Sequence, residues 1–72
     1  MRSNAKLPRQ LGNRVQKLRK QSNLTQEKLA EKIGVSRAYM GYIEQGRNTP
    51  SLEVLQKIAK SLGVKVKDIL PF

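Results

Sequence analysis

Four separate stretches of this chain carry apolar residues three or four positions apart. The first stripe is Leu11, Val15 and Leu18, and the second is Leu29, Ala30 and Ile33. The third is Met40 and Ile43, and the fourth is Leu52, Leu55, Ile58, Ala59 and Leu62. That spacing puts apolar side chains on one face of a helix, whereas a half-buried strand needs strict alternation. No alternating run of strand length occurs. The polar break Ser22-Asn23 stops the first stripe, and Gly34, Gly46 and Gly63 stop the others, glycine being the usual residue just past a helix end. Val66, Ile69 and Leu70 suggest one more short turn, halted by Pro71. The predicted fold is all-α, a compact bundle of four to five short helices joined by loops of two to six residues.

Helix starts are also marked. Thr25 precedes Gln26 and Glu27, Ser36 precedes the third stripe, and either Thr49 or Ser51 precedes the fourth, all residue types that cap helix N-termini. Residues 9–72 are expected to form a single domain, as much as 72 residues permit. Residues 1–8, MRSNAKLP, lack periodicity and read as a flexible basic arm, either a frayed end or a segment reaching a nucleic acid.

Charge narrows the partners. Fifteen Lys and Arg against five Asp and Glu give a net charge of +10. In so small a chain this favours a polyanion, either nucleic acid or an anionic membrane surface. No apolar run approaches the roughly 18 residues of a membrane span, and the N-terminus lacks the apolar segment of a signal peptide. The expectation is a cytoplasmic protein with no membrane partner. With no cysteine and no histidine, disulfides and ordinary zinc sites are not expected, and neither is any metal or cofactor. The few acids are spread singly, which leaves little for acid–base catalysis, so an enzyme is not expected. Single-stranded nucleic acid is disfavoured by the lack of an aromatic stacking platform.

Residues 25–45 hold the most specific pattern. Two short helices joined by a tight turn must cross steeply and touch. Ala30 is small at the predicted contact, and Gly34 tolerates the positive φ of the turn. Leu29, Ile33, Val35, Met40 and Ile43 bury the concave side. The outer side of the second helix then presents Ser36, Arg37, Ala38, Gly41, Tyr42 and Gln45. It is polar, carries no acid and contains two very small residues, which suits a helix entering the DNA major groove. Gly41 is disfavoured mid-helix by about 1 kcal/mol. It either lets the backbone approach bases closely or relieves crowding beside Tyr39 or Tyr42.

Three runs carry a family resemblance: LTQEKLAEKIGVSR (24–37), YIEQGRNTPSL (42–52) and LQKIAKSLGV (55–64). From about Leu11 to Leu70 the chain resembles the XRE family, the Cro and phage-repressor type of helix-turn-helix domain with the lambda-repressor-like fold. The resemblance implies a five-helix domain that binds double-stranded DNA, usually as a dimeric transcriptional regulator. It implies base reading by Ser36, Arg37, Ala38, Gly41 and Tyr42, with Arg37 suited to bidentate contact with guanine. It implies phosphate contacts from Thr25, Gln26, Tyr39, Arg47, Asn48 and Ser51. It also implies a buried ion pair between Arg19 and Glu44 that fixes the angle between helices. Lys65 stands where the family often has a capping Ser or Thr, so the last helix is expected to fray. Leu70, Pro71 and Phe72 are candidates for a homodimer contact, unless Phe72 folds back on its own core.

The expected function is therefore sequence-specific DNA binding by a repressor or controller at a palindromic operator. The alternative is a protein-interaction adaptor, a coactivator-like module on the same fold with only non-specific DNA affinity, which would need an exposed apolar patch. No sensor or protease domain and no small-molecule ligand are expected.

Overall fold

The computed structural model describes residues 7–71. Residues 1–6, most of the predicted arm, and Phe72 lie outside the described residues. Among the described residues five helices follow one another: α1 (Leu7–Gln21), α2 (Gln26–Ile33), α3 (Arg37–Glu44), α4 (Leu52–Leu62) and α5 (Val66–Ile69). The described residues contain no strand. Helix α1 starts before the predicted Arg9, taking in Leu7 and Pro8. Proline is tolerated in a first turn, where its missing N–H has no helical partner to lose.

The caps explain the short helices. Thr25 Oγ1 accepts from the Lys28 N–H at 3.0 Å, and Ser36 Oγ accepts from the Tyr39 N–H at 3.0 Å. Of the two candidates before α4, Ser51 is the cap, its Oγ accepting from the Val54 N–H at 3.2 Å. At the other end of α2, Gly34 has φ 76°. That geometry lets the Val35 N–H close on the Ala30 carbonyl at 3.0 Å, and Gly63 ends α4 in the same way. Helix α1 stops on a non-glycine residue, Asn23 at φ 59°, a left-handed position that asparagine tolerates better than most side chains.

Lys65 supplies no side-chain cap to α5, because an ammonium can only donate. Instead, Asp68 Oδ2 accepts from the Lys65 backbone N–H at 2.9 Å. Arg14 Nη1 also donates to the Asp68 carbonyl at 3.3 Å, tying the turn to α1.

Val15, Leu29, Met40, Ile43, Ile58 and Ile69 are fully buried and draw all five helices onto one core. Leu52 departs from the predicted stripe. It is 63% exposed, and the buried face of α4 begins only at Leu55. The connector from residue 45 to 51 is longer than the predicted maximum of six.

Helices α1 and α3 meet backbone to backbone. A Cβ on Gly12 would overlap the Ile43 carbonyl and lie 2.7 Å from the Glu44 oxygen. A Cβ on Gly46 would lie 2.8 Å from Cα of Arg9. Neither neighbour can rotate away as a side chain could. Gly12→Ala should therefore destabilise by at least the 1–3 kcal/mol typical of overpacking, despite alanine's better helix propensity. Urea unfolding of the variant checks this, and an unchanged midpoint would contradict the close approach.

Candidate nucleic-acid interface

Helix α3 buries Met40, Ile43 and Glu44 and exposes Arg37, Ala38, Tyr42 and Gln45. Ser36 is exposed at its N-cap. On one flank stands the N-terminus of α2, with Thr25 exposed and Gln26 half-buried. On the other flank the connector carries Arg47, Asn48 and Ser51, all exposed. Tyr39 is half-buried at the start of α3.

Local hydrogen bonds fold that connector back onto α3. The backbone N–H groups of Arg47 and Asn48 both donate to the Tyr42 carbonyl, at 2.8 and 3.3 Å. The Arg47 guanidinium then lies over the Tyr42 ring, 4.9 Å from its centroid, and its Nη1 donates to Gln45 Oε1 at 3.4 Å. An exposed cation–π contact is worth about 0.5–1 kcal/mol, enough to bias where both side chains stand. Thr25, Ser36 and Ser51 each accept one backbone N–H, so each hydroxyl proton remains available to donate, for example to a phosphate oxygen.

The buried ion pair is present. Arg19 Nε meets Glu44 Oε2 at 2.6 Å and Nη2 meets Oε1 at 3.2 Å, with the two side chains 9% and 1% exposed. Arg19 Nη1 also donates to the Leu24 carbonyl at 2.7 Å. Arg19 is thereby removed from the surface, and the acid of α3 is neutralised inside. What α3 shows to solvent is positive or neutral.

The structure adds a role for Gln26 that its position in the sequence did not reveal. Its Nε2 donates to Glu44 Oε1 at 2.9 Å, and its Oε1 accepts from Arg37 Nη1 at 3.1 Å. No local periodicity signals this, because the partners lie 18 and 11 positions away.

Gly41 does not belong to the exposed face of α3. It is buried, and a Cβ there would lie 3.6 Å from Gln26 Oε1, an ordinary contact. The Gln26 side chain packs beside it and leaves its backbone little exposed in this structure. Since nothing forbids a methyl group, Gly41→Ala should stabilise the fold by roughly 0.5–1 kcal/mol through helix propensity. A urea midpoint that fell on this substitution would show a tighter Gln26 contact than this.

Leu70 and Pro71 are half-buried and line an apolar groove of about 280 Å³ with Leu7, Pro8, Leu11 and Leu55. Among the described residues no helix is long and apolar enough to cross a membrane.

Two short capped helices crossing at a glycine turn, the second with a free face free of acid, define a helix-turn-helix domain. A helix-turn-helix family model matches residues 15–69, and the chain belongs to this XRE-type family of DNA-binding transcriptional regulators. It is 44% identical over 62 residues to the control protein C.BamHI of Bacillus amyloliquefaciens, covering 85% of this chain and 76% of that protein. It is 43% identical over 60 residues to the immunity repressor protein of Bacillus phage phi105. That match covers 83% of this chain but only 42% of the repressor, so the chain spans less than half of that relative. Among solved structures it resembles the biofilm master regulator SinR in complex with DNA, with a TM-score of 0.78 and 33% identity. That similarity covers 82% of this chain and 95% of the SinR chain.

Proposed function

We propose that this protein is a sequence-specific regulator, a dimeric repressor or controller that lays α3 in the major groove of a palindromic operator. The observation that carries the reading is the free face of α3, where Arg37 stands exposed and the only acid of the helix is buried and neutralised by Arg19. Arg37 then meets guanine O6 and N7, Ala38 a thymine methyl, and Ser36 and Tyr42 neighbouring bases. Gly41 takes no part. Thr25, Tyr39, Arg47, Asn48, Ser51 and the second Nε2 proton of Gln26 hold phosphates on either side, which fixes register without reading sequence. The similarity to a control protein and to an immunity repressor supports this assignment over the adaptor reading.

The apolar groove at Leu70 and Pro71 supplies the self-complementary surface for a two-fold dimer. Such a dimer would place two α3 helices on half-sites about one helical turn apart. This work would be done in the cytoplasm, on DNA.

Selection of a random double-stranded DNA library on the purified protein, followed by sequencing, tests the proposal. An inverted repeat with half-sites about one turn apart is expected. For a dimer making about 6–10 phosphate contacts, affinity should fall by roughly 10³–10⁵ between 50 and 200 mM salt. Salt-sensitive binding with no enriched sequence would sink the operator reading and bring the adaptor forward.

A further inference from the structure

The exposed guanidinium of Arg37 is tethered through a continuous chain of hydrogen bonds to the core. Arg37 Nη1 donates to Gln26 Oε1 at 3.1 Å, and Gln26 Nε2 donates to Glu44 Oε1 at 2.9 Å. Glu44 in turn is held by Arg19. Helices α1, α2 and α3 each contribute, so the chain forms only when the three are packed together.

The polarity of this chain is set at its buried end. A carboxylate accepts and cannot donate, so Gln26 must turn its amide nitrogen toward Glu44. Its oxygen is then directed at Arg37. The flipped amide would set oxygen against carboxylate and N–H against guanidinium, losing both bonds. The tether is also neutral. A carboxylate at position 26 would hold Arg37 as an ion pair and cancel its charge, which DNA binding would then have to break. An amide oxygen holds the geometry and leaves the charge for DNA. Among the described residues only one of its five guanidinium N–H donors is engaged, which leaves the Nε and Nη2 pair for a bidentate contact.

We propose that Glu44 is a positioning residue for sequence readout. Through Gln26 it orders Arg37 on the free face of α3, so a buried glutamate that touches no DNA governs discrimination at the base pair Arg37 meets. Ordering a long side chain before the encounter lowers what binding must supply. The inference rests on the assignment of Arg37 as a base reader. It also revises the part given to Gln26, from a phosphate contact alone to a contact that shapes specificity.

The test uses Gln26→Met, which keeps the side-chain length and removes both hydrogen bonds, with Arg37→Ala and the double variant. Each is measured on the selected site and on the same site altered at the base pair whose preference Arg37→Ala loses. Gln26→Met should reduce that preference about tenfold, within the range for one bidentate contact, and the double variant should lose no more than Arg37→Ala alone. In the free protein, ¹⁵N relaxation of Arg37 Nε should change from ordered to mobile. Because Glu44→Ala alone threatens the fold, the Glu44 link is tested with Arg19→Met/Glu44→Leu, which removes both buried charges together. Melting and circular dichroism establish that it is folded. It should then show a mobile Arg37 and the same loss of preference. A folded double variant with Arg37 still ordered, or Gln26→Met with full preference, overturns the proposal. A wild type without any preferred sequence would instead overturn the operator reading, and the relaxation measurement would still decide whether Arg37 is tethered.

Discussion

Glu44→Ala is expected to remove about 3–5 kcal/mol of folding stability, the usual loss when one partner of a buried ion pair is deleted. A chain of this length has roughly 4–11 kcal/mol in total, so the variant should be close to unfolding at room temperature. The penalty arises at Arg19. Its guanidinium would stay inside, with only the Leu24 carbonyl at 2.7 Å as a partner. The Gln26 amide would lose its acceptor at the same time. An exposed pair is the control: Lys57 and Glu53 lie 3.8 Å apart with side chains 52% and 78% exposed. Solvent screens such a pair, and Glu53→Ala should leave the urea midpoint almost unmoved. Arg19→Met/Glu44→Leu should recover most of the loss, since replacing both charges by apolar groups avoids their desolvation. Recovery should stop short of complete because the Leu24 carbonyl loses its donor. Thermal melts offer a second readout, at about 4–8 °C per kcal/mol for a domain this small. A Glu44→Ala variant within 1 kcal/mol of wild type would mean that the pair is wet or that Arg19 escapes to solvent.

Arg37→Ala is expected to change which DNA is bound more than how tightly DNA in general is bound. Loss of one bidentate contact to guanine relaxes discrimination at that base pair by about 1–3 kcal/mol. Arg47→Ala should behave differently. Arg47 sits on the connector, outside α3 itself, at the edge of the exposed face where its guanidinium stacks on Tyr42. Its removal should weaken all sequences alike and reduce the slope of log K against log salt by about one. Binding to the selected site and to single-base variants, at several salt concentrations, separates the two effects. If Arg37→Ala kept full preference while losing affinity for every sequence, the residue would be a phosphate contact and another side chain would read the base.

Both expectations depend on features of unequal visibility in the sequence. The helices, their order and most of their ends are legible because they are local, although the start of α1 and the choice of Ser51 over Thr49 are not. Thr25, Ser36 and Ser51 cap within three residues of themselves, and the apolar stripes repeat within one or two turns. The Arg19–Glu44 pair spans 25 positions. It was foreseen through family resemblance, since no local pattern links a residue of α1 to one at the end of α3. Gly41 was misplaced for a related reason. Its position on the helical wheel suggested a free face, but the Gln26 side chain arrives from α2 and packs beside it. Leu52 was misplaced because periodicity predicts which side a residue faces, while burial also requires something on that side to cover it.

By itself, the sequence determined a small all-α domain with a positively charged surface and a polar helix flanked by capping hydroxyls, because each of these follows from composition or from spacing within a few turns. Only the tertiary structure decided that Gly12 must be a glycine, that Gly41 is buried, and that Gln26 joins a buried carboxylate to an exposed arginine. Those facts depend on how closely separate helices approach. That distance is set by the packing of the whole core, and no single segment encodes it.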